Sequence, residues 1–99
     1  MVEITRPMIL RIGTPNIDKD MKKVKELLIS AGYHETEEGK FVHNQEEGLT
    51  AQLQIDAILD KQGKPLQDVI EVILSDADSY INQTIYNALA TVFPLNLSK

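Results

Sequence analysis

Leu49-Thr-Ala-Gln-Leu-Gln-Ile-Asp-Ala-Ile-Leu59 decides the fold. Apolar Leu49, Ala51, Leu53, Ile55, Ala57 and Leu59 alternate with Thr50, Gln52, Gln54 and Asp56, and only Ile58 breaks the alternation. Successive side chains of a strand point to opposite faces, so this pattern specifies a long strand with one buried and one wet face. So long a strand also needs a neighbour for its backbone N–H and C=O groups.

The nearest candidate follows at once. Asp60-Lys-Gln-Gly-Lys-Pro65 is dense in turn formers, and Leu66-Gln-Asp-Val-Ile-Glu-Val-Ile-Leu74 lies beyond it. A loop over Lys61–Lys64 sets Leu59 opposite Leu66, Ile55 opposite Ile70, Leu53 opposite Val72 and Ala51 opposite Leu74, all on one face. Asp68, opposite Ala57, is the one misfit on that face. Leu66, Val69, Ile70, Ile73 and Leu74 also match a helical template. The β-branched Val69, Ile70, Val72 and Ile73 and the first strand's need of a partner favour the strand.

Upstream, Met8-Ile-Leu-Arg-Ile12 reads as a short first strand, with Pro7 tolerated at its start. Thr14-Pro15 has the form of an N-cap followed by proline, and Ile17, Met21, Val24, Leu28 and Ala31 continue at helical spacing to a stop at Gly32. Tyr33 to Asn44 reads as a hairpin turning at Glu37-Glu38-Gly39-Lys40. A bulge at Gly39 would pair Tyr33 with His43 and Glu35 with Phe41, uniting the two aromatic rings on one face and sending His34 and His43 to opposite faces. A final helix carries Ile81, Ile85, Ala88, Leu89 and Val92, capped by Asp76 or Asp78 and ended at Phe93-Pro94.

The expected fold is α+β and two-layer. Its mainly antiparallel sheet has about five strands in the order βαββββα, with both helices packed on one face. Ninety-nine residues make a single domain, residues 1–99, with 42% hydrophobic and 25% charged residues as in ordinary globular chains. Cysteine is absent, which removes disulfides and thiolate chemistry. The stretch from Met1 to Arg11 lacks the basic start and apolar run of a signal peptide, so a cytoplasmic location is expected. The net charge of −5 argues against nucleic acid as a partner, since backbone phosphate binding draws on clustered Lys and Arg.

Chemistry-bearing groups are few. His34 and His43 with Glu35, Glu46 or Glu47 could hold zinc only if the histidines shared a face, which the favoured register denies them. Asp18 with Asp20, and Asp76 with Asp78, sit where helices begin and read as complements of the helix dipole. Lys61-Gln62-Gly63-Lys64 lacks the spacing and following helix of a phosphate cradle and reads as a turn. No cofactor, metal or catalytic residue is expected, and the residues name no enzyme.

Ser79 to Ser98 contains no charged residue. Asn82, Gln83, Asn87 and Thr91 read as outward positions of the last helix, with Tyr80, Tyr86, Ala90 and Phe93 beside them. Charge depletion with aromatic enrichment characterises interface cores. Asn82, Gln83 and Asn87 would be costly in lipid, so no membrane span is expected. The sequence therefore points to a noncatalytic interaction module that binds itself, a dimer being expected, or another protein. Its contact residues would be Tyr80, Gln83, Tyr86, Asn87, Ala90 and Phe93. Ile58, Val69 and Ile73 on the wet sheet face could extend this surface. The competing expectation is a small-ligand or enzymatic pocket between sheet and helices, furnished by Asp68, His34, His43 or Tyr80.

Overall fold

The computed structural model describes residues 6–93. They run β1 (Met8–Thr14), α1 (Ile17–Ser30), β2 (Tyr33–Glu37), β3 (Lys40–His43), β4 (Thr50–Leu59), β5 (Pro65–Leu74) and α2 (Tyr80–Val92). The strands form one antiparallel sheet in the order β1-β5-β4-β3-β2.

At its centre the β4–β5 hairpin has the register read from the alternation. Ala51 pairs with Leu74, Leu53 with Val72, Ile55 with Ile70 and Ala57 with Asp68. The far end differs: a bulge sets Leu59 opposite Pro65 instead of Leu66. Proline has no N–H to continue the ladder, so a slip of one residue costs little at that point. Asp60 closes the turn, its carboxylate accepting from the amides of Gln62 (2.8 Å) and Lys64 (2.9 Å).

β1 pairs with the other side of β5, Ile12 facing Ile70 and Leu10 facing Val72. The same sheet face carries Tyr33 and Phe41, and Val24 and Leu28 of α1 and Ile85 and Leu89 of α2 close over it as one core. Both helices thus pack on one face. The α2 stripe also includes Asn82, which is fully buried instead of facing outward. It falls three residues before Ile85 and seven before Leu89, on the inward face of the helix.

Helix starts also differ from the expected caps. Asn16 caps α1, its side chain accepting from the Lys19 amide (3.2 Å). Thr14 instead ends β1, where its hydroxyl donates to Asp20 and accepts from the Asn16 amide. Ser79 caps α2, and Asp76 orders the preceding turn through the Asp78 amide (3.0 Å). In each case a side chain nearer the first helical turn reaches its free N–H groups.

A buried polar chain ties β2 to α2. The Tyr33 hydroxyl donates to Asn82 Oδ1 (2.6 Å), and Asn82 Nδ2 donates to the Asp76 carbonyl (2.8 Å). Burial pushes the Tyr33 phenol up to about 12, and the Asp76 carboxylate adds in the same direction. Between about pH 10 and 12 the unfolded phenol loses its proton before the folded one, so stability falls as pH rises through that window. Tyr33→Phe cannot titrate. Urea midpoints measured from pH 9 to 12 are expected to fall less steeply for the variant than for the parent chain.

Candidate interaction surface

The two layers differ in length. Helices of 14 and 13 residues span about 20 Å, whereas strands of ten residues span about 33 Å. The β4–β5 hairpin therefore projects past the helical layer, and the molecule measures 47 Å along its longest axis against 29 and 26 Å across.

Neighbouring strands also stop short of the projection. β3 meets β4 only from Val42–Thr50 to Lys40–Gln52, and the Gly39 turn then leads the chain away, its carbonyl accepting from the Leu53 amide (2.7 Å). β1 ends at Thr14, opposite Asp68. Beyond these points the hairpin is a two-stranded ribbon, open at Gln54–Leu59 on one edge and at Pro65–Gln67 on the other. The Leu49 carbonyl and the Leu53 amide both face β3. Backbone groups alternate sides along a strand, so Ile55, Ala57 and Leu59 turn theirs to the open edge. There the Ala57 amide donates to the Asp56 carboxylate (2.8 Å).

Residues on the core side of this ribbon reach solvent. Ile55 is 64% exposed, Leu59 55% and Leu66 66%, and on the opposite face Ile58 is 38% exposed. Asp68, which the alternation places on the core side, is exposed for the same reason and has no buried-carboxylate role. It borders, with Thr14, Pro15 and Leu66, an open depression of about 520 Å³ at the root of the ribbon.

On the opposite face Arg11 bridges β1 to β4 across β5, reaching Glu71 (2.8 Å) and Asp56 (3.0 Å). The Ala57 amide and, after it, Arg11 hold the Asp56 carboxyl below its usual range. On the same face Val69 is 1% exposed and offers no apolar spot, while Ile73 is half-buried.

The β2–β3 hairpin has the bulged register, Tyr33 with His43 and Glu35 with Phe41. His43 is enclosed: Nε2 donates to the Ala31 carbonyl (2.9 Å), and Nδ1 accepts from the amides of Gln45 (3.1 Å) and Glu46 (3.0 Å). Both ring nitrogens are used. His34 lies on the other sheet face, bonded to Asn44, and β2 is three strand positions from β5, about 14 Å. His34, His43 and Asp68 therefore do not converge. Among the described residues no group of three or more His, Asp or Glu side chains is placed to hold a metal ion.

At the turn of this hairpin, the Gly39 amide and then Lys25 hold Glu35 below the usual carboxylate range. Lys25 is raised in turn, first by Glu35 (3.1 Å), while Glu38 lies at 3.2 Å.

On α2, Tyr80 is 83% exposed, and Gln83, Asn87 and Ala90 also face solvent. Tyr86 is partly buried against the core and Phe93 is only 7% exposed, so both rings show less surface than Tyr80. Pro94–Ser98, the rest of the uncharged segment, lies outside the described residues. No described helix is long and apolar enough to cross a membrane.

Comparison with protein-family models, curated proteins and solved structures finds no match. The functional reading rests on the surface itself.

Proposed function

We propose that this chain is a noncatalytic protein–protein interaction module that self-associates through the projecting β4–β5 ribbon. The observation that carries the reading is the cluster of Ile55, Leu59 and Leu66, each more than half exposed at the end of a ribbon that the helices do not reach. An isolated two-stranded ribbon is marginal in water. Burying the exposed part of each of these side chains contributes about 1 kcal/mol. The uncharged surface of α2 supports the same class of function, its exposed large side chains being Tyr80 (83%) and Val92 (50%), with Gln83, Asn87 and Ala90 beside them.

Light scattering over a low to high micromolar series tests this. The mass is expected to rise from 11.1 kDa toward twice that value. Ile55→Lys with Leu59→Lys keeps the chain at 11.1 kDa, whereas Tyr80→Glu leaves association unchanged. A parent chain at 11.1 kDa throughout overturns the reading.

A further inference from the structure

We infer that the partner on the ribbon is a second copy of this chain, whose β4 pairs antiparallel with β4 about a twofold axis through Ala57. The inference rests on the self-association proposed above and adds its edge, register and polar contacts.

The backbone argues for this edge. From Gln54 onward β4 turns the N–H and C=O groups of Ile55, Ala57 and Leu59 outward, and only an extended strand can meet such a row. The sheet's outer edges are less inviting. β1 is preceded by Pro7, which has no N–H, and β2 carries Glu35 and Glu37.

Side chains select the register. Centring the pair on Ala57 sets Ile55 opposite the partner's Leu59 and Asp56 opposite the partner's Ile58. Four large apolar side chains then share one face with the two Ala57 methyls between them. Moving the centre by one residue toward Asp56 would set the two Asp56 carboxylates face to face, which is unfavourable. In the Ala57 register the Asp56 carboxylate releases the Ala57 amide to the partner's carbonyl and keeps Arg11 at 3.0 Å.

Charge supports the same alignment. Asp60 falls opposite Gln54, so the turn that follows it lies beside the point where β3 leaves β4, which is the Gly39 turn. One turn carries Lys61 and Lys64, and the other carries Glu37 and Glu38, which lie 3.7 Å from Lys40 and 3.2 Å from Lys25 but keep side chains 73% and 91% exposed. Two opposite pairs of charges thus meet, and the twofold axis repeats the contact.

Because the chain has no cysteine, single substitutions report on the axis without interference. Ala57→Cys is expected to form a disulfide-linked dimer under mild oxidation, since directly opposed strand residues lie within disulfide range. Ala90→Cys, on α2, is expected to form no disulfide-linked dimer. In parallel, Lys61→Glu with Lys64→Glu is expected to raise the dimer Kd at least about tenfold, and adding Glu37→Lys and Glu38→Lys is expected to restore it. A dimer by light scattering that neither cross-links at Ala57→Cys nor responds to the charge exchange overturns the pairing and leaves the self-association intact. A monomeric parent chain overturns both.

Discussion

Asn82→Asp is expected to destabilise the fold by about 3 kcal/mol or more at neutral pH, although it changes one amide to a carboxylate of the same shape. Asn82 is fully buried; its Oδ1 accepts from Tyr33 and its Nδ2 donates to the Asp76 carbonyl. The substitution keeps the acceptor, removes the donor, and turns a negative oxygen toward a carbonyl oxygen in a fully buried site. Burial raises the new carboxyl's folded pKa above its unfolded value of about 4. The variant's deficit is therefore smallest below about pH 4 and grows as pH rises above it. Asn87→Asp, on the exposed side of the same helix, is expected to stay within about 0.5 kcal/mol of the parent. Urea denaturation at pH 4 and pH 7 decides the matter, and equal losses for the two variants at both pH values would remove Asn82 from any structural role.

Burial of Asn82 lies beyond what periodicity alone states. Periodicity identifies which residues share a face, so the alternation of β4, its register with β5 from Ala51 to Ala57 and the joining of Tyr33 with Phe41 are legible, whereas the bulge that sets Leu59 opposite Pro65 is not. It does not state how far the covering layer extends. The alternation puts Asp68 and Ile55 on the core side, yet both are exposed because the helices run about 20 Å over strands of about 33 Å. That mismatch was available from the element lengths, as was the open edge of β4, whose neighbour β3 has only four residues.

On α2 the absence of charge hid the buried stripe, because an amide fits a polar surface and a hydrogen-bonded core equally well. Asn82 could be found only from its spacing to Ile85 and Leu89. The helix caps were lost for a local reason: Thr14, Asn16, Asp76 and Ser79 are all competent caps, and which one serves depends on where packing starts the first turn.

Gly39→Ala is expected to cost about 3 kcal/mol or more, and two other glycines show how much of that is contact instead of backbone conformation. Gly39, Gly48 and Gly63 have φ of +78, +84 and +83°, so a side chain is similarly strained at each, by about 1–2 kcal/mol. Their surroundings differ. A Cβ at Gly48 or Gly63 meets nothing within 4 Å, but at Gly39 it would lie 2.7 Å from the Leu53 carbonyl oxygen, a backbone atom that cannot rotate away. Relief requires β3 and β4 to separate where the Leu53 amide donates to the Gly39 carbonyl and the Gly39 amide donates to Glu35. Thermal unfolding of the three alanine variants is expected to rank Gly39→Ala well below the near-equal Gly48→Ala and Gly63→Ala. Three equal losses would mean that conformation alone matters, and that the close approach of the Gly39 turn to β4, which ends the β3–β4 pairing and opens the ribbon's edge, is not a tight contact in solution.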